Sequence, residues 1–196
     1  MTRLTTVVLA LALSLAALPA LAANPRVELK TTAGTIVVEL FPDQAPKTVE
    51  NFLQYVREDQ YKGAIFHRVI PGFMIQGGGY DKGYQEKVTR APIVNEAANG
   101  LKNEPGTIAM ARTPDPNSAR AQFFINVNDN QALNYRGPGP QDIGYAVFGK
   151  VVSGMDVVKK IETTPTGAGG PFPQNVPQKM VVIESARVLP EAADKK

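Results

Sequence analysis

The 196-residue chain contains no cysteine and only one histidine. Without cysteine it has no disulfides, no thiol nucleophile and no cysteine-bound zinc. A single histidine also excludes a histidine-rich metal site, so we expect no metal and no other cofactor. The remaining composition is ordinary for a globular protein, with 43% hydrophobic and 20% charged residues. This length can bury a core without cross-links.

Excess charge of one sign is also scarce. The formal net charge is +3, and the lysines and arginines are spread along the chain. No basic cluster alternates with aromatic residues, so we do not expect nucleic acid to be a partner.

The first residues are typical of an export signal. Arg3 precedes an apolar and small-residue run over 7–18, which ends at Pro19. Ala20 and Ala22 fit the small-x-small rule, so we predict cleavage after Ala22. A membrane anchor is the alternative, but the run is short and alanine-rich. Cysteine-free export favours a bacterial periplasm.

After cleavage, residues 23–196 are expected to form a single domain. No second hydrophobic stretch of spanning length follows, so the mature chain should be free of the membrane. No pattern requires more than a monomer.

Hydrophobic periodicity predicts a mainly β fold. Alternating or buried apolar runs predict strands, and apolar stripes at helical spacing predict helices starting at Pro46 and spanning 154–162. The stretches 80–103, 128–144 and 163–177 are predicted to be loops. Many short strands with two helices favour a closed antiparallel barrel capped by helices. The strands are predicted over 27–31, 35–40, the two arms of 66–79, 107–111, 122–127, 145–152 and 180–188.

Residues 66–79, FHRVIPGFMIQGGG, place polar side chains inside apolar runs on both sides of a Pro-Gly turn. Arg68 precedes the turn and Gln76 follows it, so both are expected on one face of a hairpin. A groove with an apolar floor is one interpretation, and an amphipathic hairpin with a solvated arginine is the other. Phe123 and Phe124 must lie on opposite faces of their strand, with one of them facing outward or into a site.

Four long motifs in register resemble the cyclophilin family of peptidyl-prolyl isomerases, specifically its exported bacterial branch. They are FHRVIPGFMIQGG at 66–78, GTIAMAR at 106–112, AQFFINV at 121–127 and GYAVFGKVVSGMDVV at 144–158. The resemblance covers nearly all of the mature chain, about 27–188. It implies an eight-stranded antiparallel barrel capped by two α-helices, with its groove on the outer surface.

The resemblance also implies roles for particular residues. Arg68 would be the catalytic side chain, stabilising the twisted amide of an X-Pro bond in exported proteins as they fold. His67 would border the groove, although a structural role is the stronger expectation. The implied substrate-binding residues are Phe73, Met74, Gln76, Ala111, Arg112, Gln122, Phe124, Leu133 and Tyr145.

Two positions depart from the best-studied eukaryotic members. Tyr145 stands where they carry a pocket histidine, and Ala132 stands where they carry a tryptophan. Because that indole contributes to cyclosporin contact, we expect weak cyclosporin binding.

Three other functions are compatible with parts of the pattern. A non-enzymatic peptide-binding chaperone could use the same groove, but the set Arg68, Phe73 and Gln76 favours turnover. A lipocalin-type barrel would need an open cavity and a plain up-and-down meander of strands, and the long loops and two helices predicted here disfavour it. A hydrolase would need a nucleophile and an acid around His67, which the sequence does not suggest.

Overall fold

The computed structural model describes residues 23–190, and eight strands in this part form one antiparallel sheet. The predicted signal peptide and its cleavage site lie outside the described residues. The strands are β1 Arg26–Thr31, β2 Gly34–Leu40, β3 Ala64–Ile70, β4 Met74–Asp81, β5 Thr107–Met110, β6 Phe123–Asn126, β7 Val147–Ser153, β8 Thr166–Gly169, β9 Phe172–Pro177 and β10 Ile183–Val188. The spatial order of the strands in the sheet is β10-β1-β2-β7-β5-β6-β4-β3, and β8 and β9 pair separately.

The two edge strands of the sheet, β3 and β10, meet and nearly close it into a barrel. Ile65 and Val182 form an isolated antiparallel bridge. On either side of that bridge, the Gly63 amide donates to the Ile183 carbonyl at 2.8 Å and the Phe66 amide donates to the Val181 carbonyl at 3.0 Å. The predicted mainly β, eight-stranded antiparallel barrel is confirmed.

Helix α1 (Pro46–Arg57) supplies the aromatic centre of the core. Its Phe52 ring lies 5.2 Å from Tyr61, 5.7 Å from Phe123 and 5.1 Å from Phe148, measured between ring centroids. Tilted and edge-on contacts at these distances stabilise beyond the area they bury. The interior is therefore packed with side chains, which excludes the open cavity of a lipocalin-type barrel.

The N-terminus of α1 is capped from a distant part of the chain. Ala45, the residue before the helix, makes no side-chain cap. Instead the Glu96 carboxylate accepts hydrogen bonds from the Lys47 amide at 3.0 Å and the Thr48 amide at 2.8 Å. These amides have no partner within the helix, and a negative charge favours that end of its dipole. The contact orders the long surface loop in which Glu96 lies, next to a 3₁₀ turn at Ala97–Asn99.

Helix α2 (Met155–Glu162) packs against β2, β3 and β4. It buries Val158 and Ile161 completely, as its apolar stripe predicts. No helix within residues 23–190 has both the length and the apolar character needed to cross a membrane.

The prediction of a loop over 163–177 is wrong. Strands β8 and β9 form a hairpin there, with Thr166 opposite Pro177 and Gly169 opposite Phe172. Glycine and proline are depleted in ordinary strands, so the segment TGAGGPFPQNVP carries little strand signal. Tertiary packing overrides that weak preference, because β9 lies against β3.

Candidate active site

A β-bulge in β3 brings Arg68 to the outside of the barrel. Phe66 pairs with Gly77 and Arg68 pairs with Gln76, so His67 is an additional residue without a partner on β4. Strict alternation would point Arg68 into the core with Phe66, but the bulge reverses the facing of the strand after Phe66. Phe66 is therefore 1% exposed and lies in the core, while Arg68 is exposed.

Three polar side chains follow one another across the outer face of the sheet. The Arg68 guanidinium donates from Nη1 to Gln76 Oε1 at 3.3 Å. Gln76 in turn donates from Nε2 to Gln122 Oε1 at 2.9 Å. The predicted common face of Arg68 and Gln76 is confirmed, since the two residues are direct cross-strand partners.

A glycine in β4 leaves room for the last member of this row. A Cβ atom on Gly79 would lie within 2.6 Å of Gln122 Nε2, which is too close for non-bonded atoms. The Gln122 side chain therefore lies directly over the Gly79 backbone. Gly79, the last glycine of the predicted hairpin, thus shapes the site.

Beside this polar row lies an apolar cluster that is separate from the barrel core. Its buried members are Met74, Ala109, Phe124 and Val147. Phe73, Ala111, Leu133 and Tyr145 are partly buried against them. Phe124 faces this cluster, whereas the Phe123 side chain is fully buried in the barrel core, so the predicted opposite facing of the two rings is confirmed.

Arg112 is held in place by several contacts at the edge of this cluster. Its Nε donates to the Gly144 carbonyl at 3.1 Å, and its Nη1 donates to the Thr113 carbonyl at 2.9 Å. Its guanidinium carbon lies 4.6 Å from the centroid of the Tyr145 ring, a cation–π contact. Tyr145 also meets Phe124 edge-on at 5.6 Å. These contacts hold Arg112 in place as part of the groove wall, whereas the Arg68 guanidinium makes a single side-chain hydrogen bond of 3.3 Å.

One open groove of about 470 Å³ is lined by every residue that the sequence analysis assigned to the site. Their roles stay predictions, but their placement in one cavity does not depend on the family resemblance. The groove also has walls that the sequence analysis missed: Tyr80, Phe172, Pro173, Gln174 and Asn175. Four of these five belong to the β8–β9 hairpin, whose strand pattern was not recognised. Among residues 23–190, no cluster of three or more His, Asp or Glu side chains could hold a metal ion.

His67 is buried next to the groove in an aromatic setting. Its side chain is 4% exposed, and its ring lies 4.7 Å from Tyr80 and 5.3 Å from Phe172. Burial and the neighbouring Arg68 charge lower the pKa of His67 from 6.5 to about 4, although a backbone contact at Ile65 opposes the shift. The imidazole is therefore neutral at pH 7.

A buried set of asparagines fixes the two walls of the apolar pocket. Asn130 Nδ2 donates to the Phe73 carbonyl at 2.8 Å and to Asn126 Oδ1 at 2.7 Å. Asn126 Nδ2 donates to Asn103 Oδ1 at 3.1 Å, and Asn103 Nδ2 donates to the Leu133 carbonyl at 3.0 Å. The sequence analysis missed this network, because asparagine is typical of turns. Its only signal was the repeated asparagine in NVNDNQALN at 126–134.

Comparison with known proteins matches this fold and groove to one family. The family model described as cyclophilin type peptidyl-prolyl cis-trans isomerase/CLD matches residues 26–188. A peptidyl-prolyl cis-trans isomerase of Streptomyces antibioticus is 59% identical over 163 residues, which cover 83% of this chain and 98% of the relative. Peptidyl-prolyl cis-trans isomerase B of Escherichia coli K12 is 58% identical over 158 residues, which cover 81% and 96%.

Solved structures agree with the sequence relatives. A cyclophilin type peptidyl-prolyl cis-trans isomerase of Cryptosporidium parvum superposes with a TM-score of 0.69 at 27% identity, covering 86% of this chain and 99% of the other. A structure of that protein in the presence of the dipeptide Ala-Pro superposes with a TM-score of 0.68, also at 27% identity, covering 84% and 99%. With a family match over most of its length and relatives above half identity, the chain belongs to the cyclophilin-type peptidyl-prolyl cis-trans isomerases.

Proposed function

We propose that the protein accelerates rotation about X-Pro peptide bonds, with Arg68 stabilising the twisted amide. A planar peptide bond resists rotation with a barrier of roughly 18–20 kcal/mol. The cis and trans forms before proline differ by only about 0.5–1 kcal/mol, so both are populated and interconvert slowly. Catalysis thus requires a lower barrier and no bond cleavage.

One observation carries this proposal: the Arg68 guanidinium has free hydrogen-bond donors and lies beside an apolar pocket. When the amide twists, conjugation is lost and the prolyl nitrogen becomes pyramidal and basic. Arg68 is permanently charged and keeps most of its donors free, since its guanidinium makes one hydrogen bond among residues 23–190. A bond from Arg68 to that nitrogen exists only in the twisted state, which is the differential binding that catalysis needs.

The apolar cluster is the proposed seat of the proline ring. Phe73, Met74, Phe124 and Leu133 would hold the ring, while the rest of the peptide turns against it. The groove is apolar where the ring would lie and polar along the row from Arg68 to Gln122. The structural relative studied in the presence of Ala-Pro supports a ligand that contains proline.

Polar groups along the groove would hold the substrate main chain. We assign this role to Gln76, Gln122, Ala111 and the backbone of Arg112. Tyr145 closes the pocket through its contacts with Phe124 and Arg112. Because these groups are already fixed by one another, little ordering is needed when the peptide binds.

Arg68→Ala tests the assignment. Removing a donor that acts only in the transition state should lower kcat by about 10²–10³, with the fold intact. Arg68→Lys keeps the charge but loses the planar fork, so it should recover only part of the rate. Prolyl isomerisation by NMR exchange and circular dichroism should be measured together.

The matched control is Arg187→Ala. Arg187 is also an exposed arginine on a strand, but its Nε donates to Glu28 at 2.8 Å and it does not line the groove. This control should keep the wild-type rate. A folded Arg68→Ala protein with near-wild-type kcat would refute the role of Arg68.

We further propose that the enzyme acts on exported proteins in a periplasm. This rests on Arg3, the apolar run 7–18 and the small residues Ala20 and Ala22, together with the absence of cysteine. A mature protein that begins at Ala23 would support it. We also propose that the protein is a monomer, since no sequence pattern requires a second copy. We propose weak cyclosporin binding as well, because Ala132 is exposed on a 3₁₀ turn next to Leu133 and presents only a methyl group.

A further inference from the structure

The β8–β9 hairpin carries an irregularity that faces the groove. Gly167 pairs with Val176 and Gly169 pairs with Phe172, so one residue separates these pairs on β8 and three, Pro173–Asn175, separate them on β9. The additional residues of β9 leave the ladder as a bulge. All three of them line the groove.

The backbone of this bulge is unusual. Asn175 has a φ of 65°. This left-handed conformation is uncommon outside glycine and is tolerated best by asparagine and aspartate. Such conformations persist where the surrounding structure enforces them, and they concentrate at ligand-binding sites.

The base of the bulge is anchored firmly. The Phe172 ring packs edge-on against Tyr80 at 5.0 Å and lies 5.3 Å from His67. Val176 is 2% exposed, and the Gln178 amide donates to the Pro165 carbonyl at 2.8 Å. The hairpin therefore forms a preorganised wall, which reduces the entropic cost of binding.

The outward groups of the bulge are suited to a peptide main chain. The side-chain amides of Gln174 and Asn175 make no hydrogen bond to another residue within 23–190. Each offers both a donor and an acceptor, which is the complement of a peptide unit. The charged arginines that line the groove, Arg68 and Arg112, lie on the other elements. The hairpin end thus favours main-chain contacts over recognition of a charged side chain.

We propose that Pro173–Asn175 is a second binding subsite, which takes the extended main chain of the substrate on one flank of the X-Pro unit. This rests on the proposed function, which seats the proline ring in the apolar pocket and its amide at Arg68. β3 carries Arg68 and lies between β4, its partner on the pocket side, and β9. A peptide seated in this way continues onto the hairpin. The favoured ligands are unfolded segments longer than the X-Pro unit, selected by main chain rather than by sequence.

The test compares a double variant, Gln174→Ala with Asn175→Gly, with the wild type. Glycine at 175 removes the amide and retains the left-handed backbone. The substrates are a short blocked X-Pro peptide and two longer peptides, each extended by three residues on one flank. Two lost neutral hydrogen bonds should lower kcat/KM for one extended peptide by about tenfold, while the short peptide changes less than twofold.

A matched control and a second measurement separate the possible outcomes. Gln141→Ala removes an exposed amide that does not line the groove, and it should change none of the three rates. Side-chain amide signals of Gln174 and Asn175 should shift on titration with that extended peptide and not with the short one. Equal losses for short and extended peptides, or none, would overturn the subsite. A wild type inactive on the short peptide would instead refute the proposed function, and the amide titration would still test the subsite.

Discussion

Lowering the pH from 7.5 to 4 should destabilise the fold through His67. The pKa of His67 is about 4 in the folded protein and 6.5 as the ordinary value, so the unfolded chain binds the proton first. As the pH is lowered, stability falls wherever the unfolded state binds more protons than the folded state, which here is the range from about pH 6.5 down to pH 4. The contribution is fully present above pH 6.5 and is lost through that window.

The structure sets the size of this effect. At 1.36 kcal/mol per pKa unit, the difference between 6.5 and 4 corresponds to about 3 kcal/mol of unfolding free energy. The buried ring is packed between Tyr80 and Phe172, and Nδ1 has no hydrogen-bond partner among the described residues. Protonation would place a second positive charge beside Arg68 in a buried setting, and the backbone contact at Ile65 offsets this cost only in part. Tyr80 does not offset it, because burial and the nearby Glu86 raise the pKa of Tyr80 and keep it neutral.

His67→Phe is the informative variant, because it keeps an aromatic ring and cannot titrate. Urea denaturation followed by circular dichroism at several pH values gives the unfolding free energy of both proteins. The wild type should lose about 3 kcal/mol more than His67→Phe between pH 7.5 and 4. Parallel stability curves for the two proteins over this range would refute the reasoning.

Two further substitutions test how the site is supported. Gly79→Ala should displace the Gln122 side chain and break its hydrogen bond to Gln76, which should lower kcat/KM about three- to tenfold with little change in Tm. The control is Gly83→Ala, because the atom nearest to the added methyl group would be 3.4 Å away. This control should change neither kcat/KM nor Tm. Equal rates in the two variants would contradict this. Glu162→Gln should cost about 1–2 kcal/mol at pH 7, because the carboxylate accepts from the Gly72 amide at 2.8 Å and from Lys159 at 2.9 Å. Burial alone would raise the pKa of Glu162, but these two hydrogen bonds and the Lys159 charge outweigh burial and lower the pKa. The loss of unfolding free energy caused by Glu162→Gln should therefore vanish in acid, where the carboxylate of the wild type is protonated. A loss of stability that is independent of pH would contradict this.

The regular strands were predictable because alternation records which side is buried. Phe123 and Phe124 show this directly, since adjacent residues in a strand must face opposite sides. The buried Phe123 ring and the groove-facing Phe124 ring follow that rule. The apolar stripe of α1 was equally readable, because helical spacing leaves one face to the core.

The hairpin wall of the groove was not predictable in the same way. The segment 166–177 contains three glycines, three prolines and one aromatic residue, Phe172, and it shows no alternation of apolar and polar residues. Its strands exist because Phe172 packs against His67 and Tyr80, which are distant in sequence. The strand propensity of a segment does not reflect contacts with residues that are distant in sequence.

The asparagine network is a second case. Asn103, Asn126 and Asn130 are individually typical of loops, and their mutual hydrogen bonds form only when Asn103 meets the distant segment 126–130. A buried amide is stable only when its partners are in place. The sequence therefore locates the pocket walls Phe73 and Leu133, but not what holds them.

The bulge at His67 shows that a residue count can determine the orientation of a side chain. Phe66 and Arg68 are two positions apart, so in a regular ladder the parity that buries the first would bury the second. The bulge lets them pair with Gly77 and Gln76, two adjacent residues that face opposite sides, and this turns the guanidinium outward. If the bulge were straightened with every residue retained, Arg68 would lie opposite the buried Ile75 and its guanidinium would point toward the apolar interior. The irregular pairing is therefore as much a part of the site as the arginine itself.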